Sequence, residues 1–368
     1  MPDFMTKSPT LTFKSLDTAC IITNLLTYRI FTRIPSLFPR TAGSAAAVSA
    51  LYSAIIAFLI IWIISTTFCR LSHKNILDTA GAVFGKIGRK LVALIILFYL
   101  GISSIIALGE FSEFTKLVSF PTAPLAFCAI FFFVAATLGA FGGFNALSRM
   151  HRLFIPLSVS VLTFVVISTL WKGDLSNLFP ILGRGAENVF GKGISGIIMY
   201  TDITLLFLIA PSQNTPQENK RTLLIASAFS FLIVIAVMFA FTVRIPYPIS
   251  AEGQFPVYLL FKQIHYGRFF QRIDAILLFA ATLSGMLYLS LNLFFFTNIL
   301  RTDFGLSDTK PVIFPLALAF FFCVAGVKFI SAQTLNILLF CTGFGVLAAS
   351  LVTILFTKVR KKLTNEKI

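Results

Sequence analysis

The sequence predicts an all-α integral membrane protein of about ten transmembrane helices arranged as a five-plus-five inverted repeat. Three observations lead there. Of 368 residues, 57% are hydrophobic and 12% charged, with a mean hydropathy of +0.91, whereas globular chains carry roughly a quarter charged residues. The apolar runs recur at the length of about 20 residues that a helix needs to cross about 30 Å of hydrocarbon. Two of these runs hold an ionisable residue well inside them, Arg29 and Asp202. Charge at that depth usually lines a cavity, finds a partner or marks a pathway.

In order, the runs cover 13–37, 44–68, 91–111, 122–140, 153–171, 193–211, 223–243, 273–300, 311–329 and 335–356. The first lacks a small-residue cleavage site and carries Lys14, Asp17, Arg29 and Arg33, so it is expected to remain as a span. Basic residues gather at Arg70, Lys74, Lys86, Arg89 and Lys90 and in the tail at Lys358, Arg360, Lys361 and Lys362. This bias places both chain ends on the cytoplasmic side. The whole chain, 1–368, reads as a single membrane domain, with 11–171 as the first five-helix repeat and 190–357 as the second. An odd number of spans per repeat makes the second repeat enter the bilayer from the opposite side.

Several function classes are excluded by what the chain lacks or how it spreads its charge. The net charge of +16 is scattered over loop ends, which suits anionic lipid headgroups of the bilayer and not a nucleic acid. His73, His151 and His265 fall in separate predicted loops, so no metal site is expected from them. There is neither a phosphate-binding G-x-x-x-x-G-K-[ST] loop nor a G-x-S-x-G elbow. The chain therefore reads as a non-enzyme without a cofactor. Cys20, Cys69, Cys128, Cys323 and Cys341 sit in or beside apolar runs with no C-x-x-C pair, as buried thiols do.

The first and sixth runs correspond in the repeat, and both are interrupted. Thr23, Asn24, Thr27, Tyr28 and Arg29 crowd one stretch of the first, with Pro35 beyond. Gly193, Ser195 and Gly196 lead into Tyr200, Thr201 and Asp202 in the sixth, which closes at Pro211. Loosened helix is tolerated at membrane depth where it lines a cavity, and paired weak points of this kind indicate a transporter-type binding site. On the third run, Ser103, Ala107 and Glu110 share one face. Glu110 lies one turn deeper than Glu113, which suits an outward gate or proton acceptor, as Asp202 suits a coupling site. Ser284, Tyr288 and Asn292 form a polar stripe on the eighth run. The expected ligand set is thus Thr27, Tyr28, Arg29, Ser103, Ala107, Tyr200, Thr201, Asp202, Ser284 and Tyr288. Arg29 lies 12 positions beyond Asp17, about 18 Å along an unbroken helix. It reaches the pocket only if the first segment is broken; otherwise it snorkels at the outer interface. The stretch 256–270, PVYLLFKQIHYGRFF, mixes aromatic and basic residues, as an interfacial helix with Tyr258, Tyr266 and Phe269 near headgroup level does and as a docking surface for a partner does.

Five stretches taken together resemble one family: FGKIGRKLVALIILFYL (84–100), EFSEF (110–114), GGFNALSRM (142–150), YTDITLLFLIAP (200–211) and FPVYLLFKQIHYGRFFQRIDAILLF (255–279). In order and spacing they are similar to the spore-germination permeases, the B-type membrane subunits of germinant receptors. That group is a branch of the amino acid, polyamine and organocation transporter superfamily. The R-x-D of Arg272 and Asp274 is the most specific element. The resemblance implies a ligand site between segments one, three, six and eight, a small nutrient such as an amino acid as ligand, and a complex with an A-type membrane subunit and a C-type lipoprotein in the spore inner membrane. The chain departs from the pattern at Thr27, Tyr28 and Arg29, where relatives tend to be small and glycine-rich, and at Asp202, often Glu. A bulky basic residue at the break favours an anionic group on the ligand or else fills the pocket. The alternative implied by the superfamily is a proton- or sodium-coupled amino acid permease.

Overall fold

A computed structural model describes residues 15–69, 76–209, 216–264, 274–326 and 332–365. His73, His265, Tyr266, Phe269, Pro211 and Arg272 lie outside them. The first segment is a regular helix, α1, only over Ser15–Thr27. A single 3₁₀ turn, Tyr28–Phe31, follows, and Thr32 is extended (φ −97°, ψ −174°). After a second 3₁₀ turn at Ile34–Ser36 and the short α2 (Leu37–Ala42), the chain enters α3 (Ala46–Cys69). The break therefore falls just beyond the polar cluster at Thr23 and Asn24, which are themselves helical.

α3 is apolar on every side yet has a clear inner face. Ala46, Ala50, Ala54, Ala57 and Ile61 are buried at helical spacing, while Leu51, Ile55, Leu59, Trp62 and Ile63 are exposed. Small side chains on that inner face let neighbouring backbone come close: Ser53 Oγ donates to the Gly193 carbonyl at 3.1 Å. α4 (Ile76–Ser119) breaks at Gly85 (φ 71°) near its inner end.

α5 (Leu125–Leu170) carries Gly143 at φ 74° inside it, and there the chain turns back. A Cβ on Gly139 would lie 3.4 Å from Leu147 Cδ2, although residues eight apart on a straight helix are separated by about 12 Å. The fourth and fifth spans are thus the two arms of α5. The 141–152 connection, read from sequence as a loop holding His151, is helical on both sides of Gly143. His151 is fully buried, which corrects its assignment to a loop. The reason is that Ser148, Arg149 and Arg152 are polar without being helix breakers; only the glycine pair bends the chain.

The sixth segment is wound as a 3₁₀ helix over Lys192–Leu205 before α6 (Leu206–Ile209), an unusual length for that geometry. Next come α7 (Pro216–Arg244), α8 (Ile249–Glu252), α9 (Pro256–Lys262), α10 (Asp274–Phe304), α11 (Lys310–Gly326) and α12 (Ala332–Asn365). α9 packs against protein, and 265–270 of the stretch read as interfacial lie outside the described residues. Pro256, Val257, Tyr258, Leu260 and Phe261 are all buried, and Phe114 meets both Phe255 and Tyr258 edge-on. Burying that much apolar surface against protein outweighs the amphipathic appearance of the sequence. The architecture is that of an all-α, multi-pass membrane protein.

Candidate functional site

Asp202 is the centre around which the two broken segments meet. Its side chain is completely buried and accepts four hydrogen bonds. Oδ1 takes Tyr99 Oη at 2.8 Å and Tyr288 Oη at 2.6 Å; Oδ2 takes Tyr28 Oη at 2.9 Å and Arg29 Nε at 2.6 Å. Segment one thus supplies two donors, segment three one and segment eight one. Arg29 is 2% exposed, because the 3₁₀ turn at Tyr28 swings it inward where an unbroken helix would carry it outward. A lone carboxylate costs several kcal/mol to bury, and a paired one is tolerated when every lone pair is satisfied. That condition is met for Asp202 but not for Arg29, whose Nη2 has no hydrogen-bond partner.

The surrounding side chains fix this geometry. The Tyr28 and Tyr288 rings stack with centroids 3.7 Å apart and planes at 17°. Ser103 Oγ and Tyr288 Oη are 2.5 Å apart. Thr201 Oγ1 lies 3.2 Å from Tyr99 Oη and donates to the Ile198 carbonyl at 3.1 Å, helping to hold the 3₁₀ winding next to Asp202. Ala107, one turn from Ser103, is buried. The unwound backbone is also accounted for, as a low-dielectric setting requires. The Thr32 amide and hydroxyl both donate to the Arg29 carbonyl at 3.0 and 2.7 Å, and the Arg33 amide donates to Glu110 Oε2 at 3.2 Å.

Three of the expected residues point elsewhere. Thr27 Oγ1 donates to its own helix at Thr23 O, 2.7 Å away. Tyr200, the alternate neighbour of Asp202, turns to the edge of Phe231 on α7 with centroids 4.8 Å apart, and its hydroxyl has no partner. Ser284 bonds to Asn24 Oδ1 at 2.6 Å, in a cluster below Asp202. Sequence reasoning also left out Tyr99, although it lies one turn before Ser103 on the same face and extending that stripe would have reached it. His151 and Asn24 were likewise not placed in any site.

On the side of Glu113 the site is covered. Phe111 stacks on Tyr28 with centroids 6.2 Å apart and meets Phe132 at 5.8 Å. Above it Arg33 pairs with Glu113 and lies 5.3 Å over the Phe255 ring that follows α8. At the other end Arg89 bridges Asp78, at 2.9 Å, and Asp303. The arrangement is a closed, charge-compensated cluster between two broken segments.

Comparison with known proteins places this architecture. The family model described as "Spore germination protein" matches residues 30–328. Spore germination protein KB of Bacillus subtilis (strain 168) is 22% identical over 219 residues, covering 57% of this chain. The match spans 58% of that relative's length. A Na⁺-coupled sialic acid symporter in a substrate-bound outward-open state superposes with a TM-score of 0.67 at 14% identity, over 92% of this chain and 78% of the other. Mhp1, a nucleobase-cation-symport-1 family transporter in a closed conformation, gives 0.66 at 15% identity, over 95% and 80%. Identities this low establish a shared fold, with its inverted repeats, and say nothing of substrate. The family model, which covers most of the chain, goes further: the chain belongs to the spore germination protein family, built on a membrane-transporter fold.

Proposed function

We propose that the chain is the B-type membrane subunit of a germinant receptor, binding a small nutrient, an amino acid, between its two broken segments. The observation that carries this reading is the fully buried Arg29–Asp202 pair at 2.6 Å. A zwitterionic ligand can divide such a pair, its carboxylate meeting the guanidinium with the free Nη2 and its ammonium meeting Asp202. Each protein charge then exchanges one partner for another without being left bare. Tyr28, Ser103, Ala107, Thr201 and Tyr288 would line the ligand, and segments 11–171 and 190–357 act as the two repeats whose relative position changes. Binding favours the conformation that accommodates the ligand, and an A-type subunit and a C-type lipoprotein receive that change in the spore inner membrane.

The test is uptake and binding of radiolabelled amino acids by the lone chain in proteoliposomes, with and without proton and sodium gradients. Saturable binding without accumulation is expected. Gradient-driven accumulation would overturn the receptor reading in favour of a coupled permease. That second reading draws support from Glu110, which touches the break in segment one through the Arg33 amide and could carry a coupling proton, as could Asp202.

A further inference from the structure

A second buried polar cluster lies one layer below the Asp202 cluster, and the proposed ligand does not reach it. His151 on α5 is fully buried. Its Nδ1 is 2.8 Å from the Leu147 carbonyl, which can only accept, so Nδ1 carries a hydrogen. The neutral ring then offers a lone pair at Nε2, and Asn24 Nδ2 on α1 faces it at 3.3 Å. The same Asn24 amide ties α1 to α10: Nδ2 also reaches the Ser284 carbonyl at 3.3 Å, and Oδ1 accepts Ser284 Oγ at 2.6 Å. One amide thus holds three helices together, in an orientation that requires an unprotonated Nε2.

From the junction, one face of α1 leads to a partly exposed ion pair. Asp17, Cys20 and Asn24 follow one face of α1 at i, i+3 and i+7. Asp17 Oδ1 is buried without a hydrogen bond and lies 3.6 Å from Arg152 Nη1, whose side chain is half exposed. Cys20, between Asp17 and Asn24 on that face, is buried and packed with Ile155 and Leu287. Other charged groups on α5, α7 and α10 among the described residues are Arg149 on α5, Glu218, Lys220, Arg221 and Arg244 toward the ends of α7, and Arg301 and Asp303 toward the end of α10. The hydrogen-bond partners of the ring are Leu147 and Asn24.

We infer that His151 is a proton-binding site whose protonation loosens the α1–α5–α10 junction. The step is a simple addition: a proton from the aqueous side bonds to the Nε2 lone pair, one positive charge is gained, and nothing is oxidised or reduced. The new N–H faces an N–H of Asn24, so the amide must turn to present Oδ1. The turned amide can still donate to the Ser284 hydroxyl, but its bond to the Ser284 carbonyl is lost and Oδ1 faces that carbonyl oxygen, so the α1–α10 tie is weakened. Because the closed junction excludes the proton and the open one accepts it, acidification shifts the population toward the open form.

The experiment uses the full chain in nanodiscs with Cys69, Cys128, Cys323 and Cys341 replaced by serine, leaving Cys20 as reporter. Maleimide labelling of Cys20 is compared between His151 and His151→Gln at matched pH, from about 8 to about 5, the range in which an accessible imidazole changes charge. Matching the pH cancels the change in thiolate fraction. The ratio of the His151 rate to the Gln rate is expected to rise several-fold toward the acid end; a flat ratio overturns the inference. A second measurement stands even if the glutamine variant does not fold. With His73 and His265 replaced by glutamine, ¹⁵N NMR of labelled His151 should show the Nδ1–H tautomer at neutral pH. An Nε2–H tautomer or an imidazolium there overturns it equally. Neither readout depends on the nutrient, so failure here leaves the receptor reading intact, and the reverse holds too.

Discussion

At the scale of single residues, Arg29 and Asp202 behave as one unit. Removing either strands the other in a setting where an unpaired charge costs about 3–5 kcal/mol. Arg29→Ala and Asp202→Ala should therefore each lower the melting temperature of the purified chain sharply. The double variant should lose clearly less than the sum, by more than about 1 kcal/mol of coupling. Additive losses would show that the 2.6 Å contact carries no energy. Tyr99→Phe deletes one of the four donors to Asp202 with little change of shape and should cost about 1–2 kcal/mol. In a ligand-binding assay, Tyr200→Phe should do nothing comparable, since that hydroxyl bonds to nothing. Sequence alone made the two charges conspicuous, because both stand out against apolar surroundings. The stripe through Ser103 leads to Tyr99, but only packing decides that Tyr200, a neighbour of Asp202 in sequence, turns away from it.

At the scale of elements, close approach of helices depends on positions with no room for a side chain. A Cβ on Gly285 of α10 would lie 2.7 Å from two atoms of the Phe111 ring. Gly285→Ala should thus displace the ring that closes Tyr28 from above, and overpacking of this kind costs about 1–3 kcal/mol. The expected outcomes are a lower melting temperature and a faster ligand off-rate in the same variant; an unchanged off-rate would separate Phe111 from closure. The interruption of segment one was legible from Thr27, Tyr28 and Arg29, and that of segment six from its glycines and Asp202. The form each interruption takes was not. A single 3₁₀ turn with an extended Thr32 and a long 3₁₀ stretch at Lys192–Leu205 depend on which carbonyls, carboxylates and hydroxyls arrive from other segments, Glu110 among them. α9 shows the same limit, since an amphipathic composition fits a lipid surface and a protein surface equally well.

At the scale of the whole molecule, ion pairs guard both ends of the cluster. Arg33 with Glu113 covers the side that the sequence places outside, and Arg89 with Asp78 and Asp303 ties the opposite side. Arg33→Gln should bias the chain toward opening outward. With Ala107→Cys as reporter on α4, labelling by a membrane-impermeant reagent added outside should rise several-fold over the same reporter with Arg33 intact. Arg89→Gln should lower it, because loosening the inner side favours the opposite opening. Equal labelling in all three chains would mean that these pairs are ordinary surface contacts, which are worth little.

The sequence by itself determined that this is a many-helix membrane protein with two weakened spans carrying opposite charges, because apolar length and misplaced charge are one-dimensional properties that a bilayer reads directly. Only the tertiary structure decided that the two charges neutralise one another, that three tyrosines complete the carboxylate's shell, and that His151 sits at a three-helix junction and not in a loop. Those outcomes depend on which residues from distant parts of the chain arrive at the same point. In a low-dielectric interior every buried polar group must be satisfied by whatever neighbour the fold delivers.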